Sequence, residues 1–119
     1  MRKTATILFH SRQQAHFWHL QTKSYAEHKA LNEYYDGILE LTDQLLEVYL
    51  GKGKKIDFNR ITMVFKGYNK QAMIEYFKKL ARYMVRVKKS LKDSDGDLLN
   101  IMEEIIALIN KTLYLFTLE

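Results

Sequence analysis

Four residues of this 119-residue chain have the types and order from which a metal centre can be built: His16, His28, Asp43 and Glu47. Eleven residues separate the histidines, fourteen separate His28 from Asp43, and three lie between the carboxylates. Imidazole nitrogen and carboxylate oxygen together suit iron, manganese or zinc. Asp43 and Glu47 stand one helical turn apart and can share an ion. His19, one turn after His16, is a candidate auxiliary ligand. On one helix His28 and Asp43 differ by about 60° in azimuth but by roughly 22 Å along the axis. A single ion cannot touch both. The pattern therefore requires two separate sites, or two antiparallel copies of the helix with His28 of one facing Asp43 and Glu47 of the other. The same stripe continues through Asp36 and Glu40, as a solvated acidic face also would.

The elements that must position these residues are helical. The chain has no proline and five glycines, with apolar residues at 47%. Proline and glycine mark the turns of small β proteins, so their scarcity favours helices. The absence of cysteine excludes a disulfide framework, a thiolate zinc site and a cysteine nucleophile. The length is that of one domain spanning 1–119. The apolar run Ala5–Phe9 is too short for a signal-peptide core, and no stretch has the length of a transmembrane helix. A soluble cytoplasmic protein is expected, with no membrane partner.

Four helices are expected. The first runs over residues 4–21, with Ile7, Leu8, Ala15 and Trp18 as a rough apolar face. Ser24 caps the second, and Glu27 three residues later completes a capping box. Leu31, Ile38 and Leu45, with Tyr34, Leu41 and Val48, form its core-facing stripe, and Gly51 and Gly53 end it. Residues 52–68 form a long connection with some extended or short helical character around Ile56, Phe58, Ile61 and Val64. Asn69 caps the third helix, whose core row is Met73, Tyr76/Phe77, Leu80, Met84 and Val87. After a break at 92–96, Asp95 or Asp97 starts a fourth with Leu98, Ile101/Met102, Ile105 and Leu108/Ile109 inward. Two short connections around one long crossover fit an all-α, ferritin-like four-helix bundle.

The order of these residues resembles the Dps-like mini-ferritins. The segment from Leu8 through His16 to His19 looks like the end of that family's first helix, with Trp18 one place later than usual. The family's second histidine falls on His28 and its Asp-x-x-x-Glu pair on Asp43 and Glu47. Lys111 to Phe116 is similar to the Lys-x-x-aromatic end of the last helix. The family usually has an aspartate one turn after its second histidine; here it is Asn32, a neutral and weaker ligand. The resemblance implies a ferroxidase: a mono- or dinuclear iron site, or another divalent metal, shared across a two-fold interface, with Fe(II) oxidised by oxygen or peroxide. It also implies a homo-oligomer built through the second helix, and a closed shell.

Charge points to a second function class. Residues 51–92 hold thirteen basic residues against Asp57 and Glu75, a balance of +11 within a chain of net +5. Lys78, Arg82, Arg86 and Lys89 form a ridge on the third helix, and Lys52, Lys54 and Lys55 a second cluster before it. Such a ridge can neutralise phosphates without sequence preference. The alternative to the ferroxidase is thus a non-enzymatic ferritin-like binding protein, such as a phage or bacterial accessory protein, engaging nucleic acid or an acidic protein. Tyr68, Tyr76 and Tyr83 read as core or interface residues, not base-stacking platforms. Residues 51–55 lack the spacing of a phosphate loop, and 93–97 lack the distal glutamate of a calcium loop.

Overall fold

Helix ends are set where the sequence offers caps. Ser24 stands in extended backbone and its side chain accepts from Glu27 N, starting α2 (Tyr25–Gly51). Asn69 does the same for α3 (Lys70–Ser90), accepting from Ala72 N. Before them α1 covers Arg2–Gln21, and after them a single 3-10 turn (Asp93–Asp95) leads into α4 (Gly96–Leu115). The computed structural model describes residues 1–118, and among these there is no strand. The expected single domain reaches one residue further, to Glu119, outside the described residues.

The helices pack as α1 on α2, α2 on α4 and α4 on α3. Their directions follow from residue pairs. Glu33 meets Lys111 and Lys52 meets Asp97, so α2 and α4 are antiparallel. Lys88 meets Glu103 near one end and Phe77 meets Phe116 near the other, so α3 and α4 are antiparallel. Thr4 bonds Tyr83 and His10 bonds Tyr76, so α1 and α3 are antiparallel too. Gly37 lets α2 and α4 approach closely; a Cβ there would stand 3.1 Å from Leu108.

The core is a continuous cluster from all four helices. Trp18, Tyr34, Phe77, Leu31, Ile38, Met84, Ile105 and Ile109 are at most 1% exposed. Tyr34 and Phe77 meet edge to face with centroids 4.9 Å apart, a favourable aromatic geometry. Of the face expected for α1, Leu8, Ala15 and Trp18 are buried but Ile7 is half-buried, and Thr4, Ser11, Gln14 and His19 are buried beside them. That polar content explains the weak periodicity of this helix.

Residues 52–69 join α2 to α3 without a helix, so the short helical turn admitted around Ile56–Val64 is not formed. Instead this strap lies along α1. Arg2 donates to Asp57 O and Asn59 O, His10 to Val64 O, Gln14 to Lys66 O and Trp18 to Gly67 O. Strap residues 57–67 thus run alongside α1 from Arg2 to Trp18, sixteen residues' rise or roughly 24 Å. No described helix is long and apolar enough to cross a membrane.

Candidate functional site

The histidines gather where α1 turns into α2. His19 Nδ1 donates to His28 O at 2.8 Å, and His28 Nδ1 donates to His19 O at 2.9 Å. The two rings stack with centroids 3.7 Å apart and planes 18° from parallel. A carbonyl only accepts, so each ring carries its proton on Nδ1 and, when neutral, keeps a free lone pair on Nε2. Ligating histidines are commonly oriented by such a bond from the second nitrogen. Lone pairs in nearly parallel planes do not converge, so His19 and His28 cannot chelate one ion together.

His16 stacks on Tyr35 at 4.2 Å and lies 5.9 Å from His19, ring to ring. Loss of water around it, then Arg12 and His19, lower its pKa, while Asp36 pulls the other way. The neutral form, which is the ligand form, is thereby favoured. Asn32 donates to Asp36 Oδ2 and accepts from Tyr35 Oη, both at 3.0 Å. His28 and Asn32 line a shallow depression of about 350 Å³ with Tyr25, Lys29 and Glu33.

The carboxylates are elsewhere. Asp43 and Glu47 are exposed on the far half of α2, and among the described residues neither has an ion-pair or side-chain hydrogen-bond partner. Nor do any three His, Asp or Glu of the described chain converge as a metal group. The donor set of imidazoles and carboxylates has the chemistry to hold iron, but within one chain it is split between the two ends of a helix. Both ends share one outer stripe, however. At 3.6 residues per turn, Tyr25, His28, Asn32, Leu39, Asp43, Glu47 and Leu50 fall within an arc of about 100°. Tyr25, Leu39 and Leu50 are large apolar residues left exposed there, at 74%, 37% and 42%.

The family comparison can be set beside this geometry. The family described as "Family of unknown function (DUF5856)" matches residues 19–116. This chain belongs to that family. The DUF5856 match takes in His28, Asn32, Asp43 and Glu47, and leaves out His16 and most of α1. No curated protein and no solved structure matches the chain.

Of the basic residues, Lys78, Arg82, Arg86 and Lys89 all lie exposed along α3. Lys78 sits 4.0 Å from Glu75 on its own helix. Lys52 is held by Asp97 at 3.0 Å, while Lys54 and Lys55 are exposed. Part of the basic surplus is therefore answered inside the chain, also by Lys88–Glu103. His10 is fully engaged. Its Nε2 donates to Val64 O, its Nδ1 meets Tyr76 Oη at 2.7 Å, and its ring stacks on Phe65. The available signal was the four-residue spacing of His10, Gln14 and Trp18, the row that carries the strap.

Proposed function

We propose that this protein is a Dps-like, ferritin-like iron-binding protein that oxidises Fe(II) at a site completed by a second copy of the chain. The outer stripe of α2 carries this reading: nitrogen donors at one end, carboxylates without a partner at the other, and exposed apolar residues among them. Packing two copies of α2 antiparallel about a two-fold axis between Asp36 and Leu39 pairs His28 with the partner's Glu47 and Asn32 with the partner's Asp43. The same operation pairs Tyr25 with the partner's Leu50. An isologous contact of this kind builds two identical sites at once. The helix directions, with one long crossover between α2 and α3, support the ferritin-like assignment.

His16, through a ring nitrogen, and His28, through Nε2, would retain Fe(II), and Asp43 and Glu47 would favour the more highly charged ferric product. Fe(II) is the substrate, losing one electron per ion to oxygen or peroxide. Asn32 in place of a carboxylate removes one negative charge, which weakens one iron position relative to the other.

Anaerobic Fe(II) titration followed by oxygen exposure tests this. Saturable binding and rapid oxidation are expected in the wild type and lost in His28→Ala and Asp43→Ala. Mixing the two variants is expected to restore activity, because one of the two sites in a mixed dimer keeps every ligand. Oxidation no faster than buffer in the wild type would reject the reading. The exposed ridge of Lys78, Arg82, Arg86 and Lys89 then favours the second function, a non-enzymatic binder of polyanions, read out as salt-dependent affinity.

A further inference from the structure

On the seam between α1 and α3, away from the outer stripe of α2, lies a groove of about 550 Å³. It exists because two tyrosines hold these helices apart. Tyr83 reaches Thr4, and Tyr76 reaches His10, so the backbones do not close on one another. The bridges are seven residues apart on α3, which leaves a window about 10 Å long between them. Ile7, Leu80, Met63 and Val64 contribute apolar wall; the strap supplies the last two. Its volume is within the range of small-molecule sites.

The charge around this window is one-sided. Lys79, Arg82 and Arg86 line it, and no Asp or Glu is among its lining residues. Among the described residues these three cations have no carboxylate partner. Arg82 and Arg86 are one turn apart, so two guanidinium forks face one side. Arg86 also lies over the Tyr83 ring, 5.9 Å from its centroid, which holds it beside the window. Guanidinium forks match carboxylate geometry, and the tyrosine hydroxyls are already engaged with Thr4 and His10. The occupant that fits is therefore one short apolar chain with a single anionic head.

We propose that this groove binds a medium-chain fatty acid, its alkyl chain against Ile7, Leu80 and Val64 and its carboxylate on Arg82 and Arg86. The proposal is independent of iron chemistry. It is tested on the full chain by NMR titration with acetate, hexanoate and octanoate, and with octyltrimethylammonium as the oppositely charged control. Burial of about 0.8 kcal/mol per methylene predicts affinity rising roughly three- to fourfold with each one. Saturable octanoate binding is expected to fall at least tenfold in Arg82→Glu/Arg86→Glu, and again in Val64→Trp, which fills the window from an exposed position. Absence of saturation, equal binding of the cation, or unchanged affinity in both variants would overturn it. So would an oligothymidylate that binds through the same arginines while octanoate does not.

Discussion

Glu27 is 2% exposed, accepts from Thr22 Oγ1 at 2.7 Å and Tyr68 Oη at 2.5 Å, and lies 3.6 Å from Lys70 Nζ. Its position three residues after Ser24 announced a capping box, and half of one forms: Ser24 Oγ receives Glu27 N. The returning half does not, because Ser24 N is taken by Thr22 Oγ1 and the carboxylate turns inward to tie the α1–α2 turn to the start of α3. Local spacing cannot show a partner forty residues away. At the surface, Asp97 has its pKa lowered by Lys52 and by the backbone bond from Leu98. A carboxylate with a depressed folded pKa adds stability above its unfolded pKa, near 3.8, and loses it as pH falls through the folded value. The acid limb of the stability curve is thus expected to be less steep in Asp97→Asn, measured by urea midpoints from neutral pH downward. The difference should be small, as for an exposed pair, and should shrink in high salt.

At the scale of elements, the strap is the feature that departs most from regular structure, and α1 holds it with side chains in place of a sheet. Gln14, 1% exposed, donates through Nε2 to Lys66 O at 3.0 Å and accepts from Lys66 N at 2.8 Å, as a neighbouring strand would. Gln14→Leu keeps the volume but leaves both Lys66 groups unpaired. It is expected to destabilise the protein by about 1–3 kcal/mol and to raise amide exchange over residues 61–68 before that of α2 or α4. Uniform exchange across the chain would mean that strap and bundle open as one unit. The helices themselves were legible from caps and apolar rows at Ser24, Asn69 and Met73–Met84. The path of 52–69 was not, since its contacts are with a helix some fifty residues earlier.

For the whole molecule, the decisive question is what covers the outer stripe of α2. Leu39 stands close to the axis that would relate two copies, 37% exposed. In that pairing Leu39 stands opposite the partner's Asp36, so Leu39→Asp places like charges against one another on both sides of the axis. The expected result is a wild type that sediments as a dimer or larger assembly and a variant that sediments as a monomer, folded but with iron oxidation lost. A monomeric wild type would remove the shared site together with its interface. Charge acts at this scale as well. The +11 balance of residues 51–92 is partly met by acidic residues of α4, at Lys52–Asp97 and Lys88–Glu103, while Arg82 and Arg86, exposed on α3 and lining the α1–α3 groove, have no carboxylate partner among the described residues.

By itself the sequence determined that the chain is helical, where most helices begin, and that nitrogen and oxygen donors lie at opposite ends of one long helix. These follow from local rules: side-chain period, capping hydrogen bonds, and 1.5 Å of rise per residue. Only the tertiary structure decided that His19 and His28 lock one another through backbone carbonyls, that His10, Gln14 and Trp18 carry the strap, and that Tyr76 and Tyr83 wedge open a cationic groove. Each of those depends on which distant backbone a side chain meets, and that is fixed by how four amphipathic helices divide a common core.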